Sequence, residues 1–282
     1  MLWGMHSHLR LQTISNKNTR SIFRQLSTFL VQLPISEETI CSGEDIDDVI
    51  ANRLDPYFLD QRPVVFRKVY AQVPAIERWK NWDYIENAVD CNSPCHVEVG
   101  GNYSQSERCD MRFGDYLAYL RLFEEKYGRK GPNSPPDEEL FYLAQNDVIG
   151  GLDSDYKIPS ALTKLGIGSI YNMMMWLGPY GCISPFHYDP LDNLFMQFVG
   201  EKRVLLFPPG THMYAGHNGA QSNTSLIDPS AALDLSLYPK LKDLPAAEEC
   251  TLFPGDMLFI PKKWWHHVTT LKTSISINAW WR

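Results

Sequence analysis

The chain has 282 residues, 44% of them hydrophobic and 21% charged, with 13 Phe, 8 Trp and 14 Tyr. That supply of apolar and aromatic side chains excludes a largely disordered chain and a disulfide-stapled miniprotein, and fits one large domain or two small ones. No run of about eighteen apolar residues offers a bilayer-spanning helix, and the net charge of −7 argues against a general phosphate-backbone binder while tolerating a basic peptide partner.

Residues 1–36 hold Arg10, Lys17, Arg20 and Arg24 but no acid; the first carboxylate is Glu37. Ile22, Phe23, Leu26, Phe29, Leu30 and Leu33 share one face if the stretch is helical. A basic, acid-free amphipathic start reads as a mitochondrial presequence or as an N-terminal helix packed on the fold, and it lacks the apolar core of a secretory signal. The expected location is intracellular: mitochondrial if 1–36 is a presequence, otherwise nucleus or cytoplasm. The six cysteines, at 41, 91, 95, 109, 182 and 250, are scattered. Only Cys91 and Cys95 are close, and no second pair completes a zinc site, so reduced thiols are expected.

Residues 37–138 read as a mixed α/β region. Ser36-Glu37-Glu38-Thr39 places acids where a helix N-terminus prefers them and predicts a capped helix. Arg62 to Tyr70 is β-rich with Pro63 near its start, where a strand tolerates proline. Phe113, Tyr116, Leu117, Leu120 and Phe123 keep helical spacing and predict a helix over 113–127. Gly128 to Asp137 is a loop by composition. Over 139–282 the character changes to short apolar runs separated by Gly and Pro: Phe195–Val199, Arg203–Phe207, Met257–Ile260 and Ser274–Trp280. This spacing predicts a mainly β sandwich or barrel, with Gly200-Glu201-Lys202-Arg203 as a hairpin-like turn.

His187-Tyr188-Asp189 sets an imidazole and a carboxylate two residues apart; on a strand both face the same way and reach one ion. Alone the pattern is weak. With 33 acids in the chain, an acid two positions after a histidine arises by chance, and His96-Val97-Glu98 reads as such an accident. The surroundings of His187 are more specific. A turn-rich approach from Gly178 to Pro185 precedes it, and Asn193 and an apolar strand follow it. His266 closes the run Gly255-Asp256-Met257-Leu258-Phe259-Ile260-Pro261-Lys262-Lys263-Trp264-Trp265-His266. Two histidines and one carboxylate on one face of a barrel make the facial triad that suits non-haem iron(II), with positions open for a co-substrate and dioxygen.

With these residues in view, 142–282 resembles the JmjC domain of the iron(II)- and 2-oxoglutarate-dependent oxygenases, and 50–140 does so more loosely. The HxD pair, the Gly-Asp to Trp-Trp-His element and Ile277-Asn278-Ala279-Trp280-Trp281 carry the resemblance jointly. Phe141-Tyr142-Leu143-Ala144-Gln145, Trp176-Leu177-Gly178-Pro179 and Ile183-Ser184-Pro185 make it most similar to the jumonji-C domain-containing protein 5 group of small protein hydroxylases. The tRNA wybutosine hydroxylase and the factor-inhibiting-HIF type are similar in pattern. The resemblance implies a double-stranded β-helix, the jelly roll of a cupin-like JmjC barrel, over 139–282, with flanking helices from an N-terminal extension over 37–138. It implies metal ligation by His187, Asp189 and His266. It also sets Lys202 against the distal carboxylate of 2-oxoglutarate, with hydrogen bonds from Tyr142, Ser184 and Asn193. Composition alone makes Lys202 a solvated turn lysine and Tyr142 a core residue. His267 is expected on the face opposite His266, and His212 and His217 read as exposed loop histidines. The long N-terminal helical region of the larger relatives is not matched, so their partner docking is not carried over.

The implied activity is a dioxygenase that hydroxylates a protein side chain. Iron(II), 2-oxoglutarate and dioxygen would serve it, and its partner would be a protein or peptide rather than a stably bound nucleic acid. Nε-methyl-lysine demethylation is the second reading and a tRNA base the third, disfavoured by the acidic balance. A metal-binding cupin-type regulatory module and a structural zinc protein are the non-enzymatic alternatives. The oligomeric state is not legible.

Overall fold

The computed structural model describes residues 32–40, 44–101, 107–129, 135–166, 168–216, 222–227 and 235–282; the expected presequence lies almost wholly outside them, as do His217 and Cys41. In chain order the strands are β1 (Gln32–Pro34), β2 (Ser36–Thr39), β3 (Val64–Arg67), β4 (Pro94–Val99), β5 (Arg108–Arg112), β6 (Phe141–Asp147), β7 (Ile170–Gly178), β8 (Ile183–His187), β9 (Asp192–Phe207), β10 (Ala247–Leu252), β11 (Met257–Ile260) and β12 (Trp265–Trp281). The helices are α1 (Ile46–Val49), α2 (Asp55–Asp60), α3 (Ala75–Arg78), α4 (Trp82–Ala88) and α5 (Phe113–Tyr127), with a π-helical link over Ile50–Leu54.

β9 and β12 organise the fold. They run antiparallel from Asp192 opposite Trp281 to Phe207 opposite Trp265. Each long strand changes its outer partner halfway. The first half of β9 pairs with β11 and the second with β10, while the first half of β12 pairs with β8 and the second with β7. Each strand thus serves two sheets that close on one another, which is the jelly-roll solution to burying two apolar faces. The chain is mainly β, as its short apolar runs predicted.

Gly200 makes the crossing possible. Its φ of +75° is open to glycine, and a Cβ there would run into the Thr273 carbonyl. The pairing of β9 with β12 shifts register on the β12 side of this point, between Thr270 and Ser276. The expected hairpin turn at Gly200–Arg203 is therefore a bulge inside one strand, because β12 keeps the chain extended on both sides of it. The bulge has a functional consequence. Asn193 and Lys202 are nine positions apart, so strict alternation would send them to opposite faces, yet both line the same interior.

The predicted capped helix at Ser36–Thr39 is strand β2, paired in parallel with β3. Its acids serve tertiary contacts instead: Glu37 pairs with Arg67, and Glu38 accepts from Tyr57 Oη at 2.8 Å. The helix over 113–127 forms as read. The main core packs side chains of the helical region such as Ile50, Trp79, Trp82 and Leu117 against Met196, Phe198, Ile277 and Trp281 of the barrel. A second cluster, with Phe195, Val204, Leu206 and Val268, fills the barrel interior beside the site. Among the described residues, no helix is long and apolar enough to cross a membrane. Cys91, Cys95, Cys109, Cys182 and Cys250 carry free thiols.

Candidate metal centre

His187 and His266 face each other across the β8–β12 pairing, with ring centroids 4.1 Å apart. His187 Nδ1 donates to the Pro185 carbonyl at 2.8 Å and His266 Nδ1 donates to the Trp264 carbonyl at 3.0 Å. Both rings are thereby held in the tautomer that leaves Nε2 free to ligate. β8 ends at His187, so Asp189 lies beyond the strand and not on it, and other contacts hold it in place. Asn223 brackets the Tyr188 peptide: Tyr188 N donates to the Asn223 carbonyl at 3.0 Å, and Asn223 Nδ2 donates to the Tyr188 carbonyl at 2.9 Å. Lys263 N donates to the Asp189 carbonyl at 2.9 Å. The candidate ligand atoms of His187, Asp189 and His266 all lie within 4.8 Å of one another, the one such group of three among the described residues.

The protonation states favour a cation. Burial, helped by the neighbouring His266, lowers His187 to about 4, so it is neutral near pH 7. Burial alone would raise Asp189, but His266, His187 and the donors Trp280 and Asn193 outweigh it and hold the carboxyl below its ordinary value. An ionised carboxylate and a neutral imidazole are the forms that bind metal.

A cavity opens from the triad and is lined by Tyr142, Ser184, Asn193 and Lys202 together with His187, Asp189 and His266. All seven residues singled out from the sequence thus share one site. Lys202 is 0% exposed and is no solvated turn lysine. Its Nζ donates to Tyr142 Oη at 3.3 Å and lies 5.4 Å from the centroid of the Phe195 ring, and no salt bridge neutralises it among the described residues. A buried ammonium without a carboxylate fits an anionic ligand in the space before it. His267 points away from the triad onto the Phe186 ring, 5.1 Å between centroids, and burial pulls it down to about 3. His212 is exposed, and the His96–Glu98 pair is split between Asp110 and Arg108. Sequence reading missed the partners of Asn193 and the role of Asn278, which lies on the cavity wall. Period-two alternation with Trp280 and His266 was the available signal for Asn278.

A jelly-roll barrel with two histidines and a carboxylate converging on its interior is a metal-binding cupin. The chain belongs to the cupin-like domain family, matched over residues 51–282, and within it to the JmjC type. It is similar to Lysine-specific demethylase JMJ30 of Arabidopsis thaliana, 35% identical over 233 residues covering 81% of this chain and 52% of that one. Jumonji C domain-containing protein 5 of Drosophila melanogaster is 30% identical over 253 residues, covering 86% and 61%. The tRNA wybutosine-synthesizing protein 5 of Danio rerio is 40% identical over 239 residues, covering 79% and 69%. The chain spans about half to three fifths of the length of the first two.

Proposed function

We propose that the chain is an iron(II)- and 2-oxoglutarate-dependent dioxygenase that hydroxylates a protein side chain. The observation that carries this is the pairing, across one cavity, of a His-Asp-His set with the unneutralised ammonium of Lys202. His187, Asp189 and His266 would hold the metal. Lys202 would take the distal carboxylate of 2-oxoglutarate, with Tyr142, Ser184 and Asn193, which line the same cavity, as hydrogen-bond partners. Iron(II) with 2-oxoglutarate and dioxygen supplies oxidative C–H hydroxylation. The chain contributes binding, orientation and exclusion of water, the last through Trp176, Phe195, Val268 and Trp280 on the cavity wall. The 37–138 region packs over the barrel and 139–282 carries the site.

Demethylation of Nε-methyl-lysine is the second reading, favoured by the names of relatives such as Lysine-specific demethylase JMJ30. The cavity weighs against it: among the described residues its one lining carboxylate is Asp189, committed to the metal, so none of them remains to meet a cationic methyl-ammonium. A nucleic-acid base, the substrate class named by the wybutosine-synthesizing relative, meets a chain of net charge −7. The test is succinate release from 2-oxoglutarate with iron(II) and ascorbate, followed by mass spectrometry of peptide, methyl-peptide and RNA substrates. Gain of one oxygen on a peptide is expected. Loss of one methylene would assign demethylation. Succinate no higher than in His187→Ala with every substrate would leave a metal-binding regulatory module.

A further inference from the structure

Three adjacent strands carry a line of hydrogen bonds that crosses the sheet and ends on Asp189. Trp176 Nε1 on β7 donates to Asn278 Oδ1 on β12 at 2.7 Å. Asn278 Nδ2 donates to Asn193 Oδ1 on β9 at 3.2 Å, and Asn193 Nδ2 donates to Asp189 Oδ2 at 3.0 Å. Trp280 Nε1 reaches the same carboxylate oxygen at 2.9 Å. The register explains the line: Ser276 lies opposite Trp176 and Trp280 lies opposite Asn193, so Asn278, between them on β12, is the diagonal neighbour of both.

The line has one direction. An indole N–H is only a donor and an ionised carboxylate only an acceptor. Between those two ends, the two amides have a single arrangement in which every contact is a hydrogen bond. Turning either amide over sets donor against donor and acceptor against acceptor. Trp176, Asn193 and Asn278 are all buried, so the mismatch of a reversed amide would carry the penalty of unmade buried hydrogen bonds.

We propose that Trp176 and Asn278 are positioning residues for the metal centre, fixing the Asn193 amide as a donor so that Asp189 is locked in its ligating orientation. The inference rests on the metal reading of His187, Asp189 and His266. It makes Asn193 a support of the ligand set as well as a wall of the co-substrate space. Trp176 and Asn278 act on Asp189 through Asn193, while Trp280 supports it directly.

Cobalt(II) is the probe, titrated into the metal-stripped 282-residue chain and followed by its visible d–d absorption, with no turnover required. Trp176→Phe and Asn278→Ala are each expected to weaken Co(II) binding about 10-fold and to change the d–d band, as loss of outer-shell support does elsewhere. The deciding measurement is the double-mutant cycle. Trp176→Phe with Asn193→Ala binds Co(II) no more weakly than Asn193→Ala alone, since the relay then has nothing to transmit; a packing role for the indole would add its loss in full. If Trp176→Phe does not fold, Asn278→Ala with Asn193→Ala supplies the same cycle. Unchanged Co(II) affinity in the single variants, or fully additive losses in the cycle, overturns the relay while leaving the metal site standing. A wild-type chain that takes up no Co(II) overturns the metal reading beneath it.

Discussion

Burial pulls the Lys202 ammonium down to about 7, with the Cys182 thiol nearby opposing the shift only in part. A lysine in the unfolded chain titrates near 10.4. Between those two values the unfolded chain binds more protons than the folded one, so the stability of the ligand-free protein rises with pH across that window, and the penalty is complete below it. Urea unfolding at pH 7 and pH 9 should show this gain in the wild type and not in Lys202→Met, which should also be the more stable of the two at pH 7. The same substitution is expected to weaken 2-oxoglutarate binding about 100-fold or more, since it removes one partner of a buried charge pair. Calorimetry at pH 9 in buffers of different ionisation enthalpy should record proton uptake when 2-oxoglutarate binds the wild type. The ligand types were legible because short motifs carry them, and Lys202 only through the family resemblance, since its own Gly-Glu-Lys-Arg run reads as a solvated turn. The partners of Asn193 were not, because Asn278 lies 85 residues away and meets it only through the register of two strands. Nor was the support of Asp189, which rests on Asn223 and Lys263 from separate loops.

A strand that serves two sheets needs a place to bend, and in β9 that place is Gly200. Gly200→Ala adds a Cβ against the Thr273 carbonyl and forces an L-residue to a φ of +75°, so a loss of about 3 kcal/mol or more is expected in denaturant unfolding. Gly210 is the control. Its φ is +85° but nothing lies within 4 Å of a Cβ there, so Gly210→Ala should lose only about 1–2 kcal/mol of backbone preference. Gly200→Ala should also weaken 2-oxoglutarate binding, since the bulge is what turns Lys202 to the interior. Local pattern was sufficient for α5, whose apolar spacing sets one face against the core. It failed at β2 and Gly200 for one reason: acids beside Ser36 and a Gly-Glu-Lys-Arg run look like a helix start and a turn until a neighbouring strand pairs with them.

The helices over 46–127 and the barrel share apolar contacts, and the family match likewise begins at residue 51, inside the helical region. Trp79 sits at the junction, its ring centroid 5.0 Å from that of Phe198 and 5.8 Å from that of Tyr156. Asp155, buried at 0% exposure, ties this junction together by accepting from Trp79 Nε1 at 2.9 Å, Tyr84 Oη at 2.7 Å and Arg78 Nη1 at 2.7 Å. Burial alone would raise its carboxyl, but Tyr84, Trp79 and Arg78 outweigh that and hold it below the ordinary value. A carboxyl lowered in the folded state contributes stability above its unfolded value of about 3.9, and that contribution is lost as the pH falls through the folded value. Asp155→Ala leaves the buried indole N–H without its acceptor and should lower stability by about 3 kcal/mol at pH 7. It should also flatten the acid limb of the stability profile. Since the junction belongs to both regions, far-UV circular dichroism and tryptophan fluorescence should report one coincident unfolding transition in the wild type, moved as a whole in Asp155→Ala. Two separated transitions, with only the first moved by Asp155→Ala, would show instead that 37–138 and 139–282 hold their folds independently.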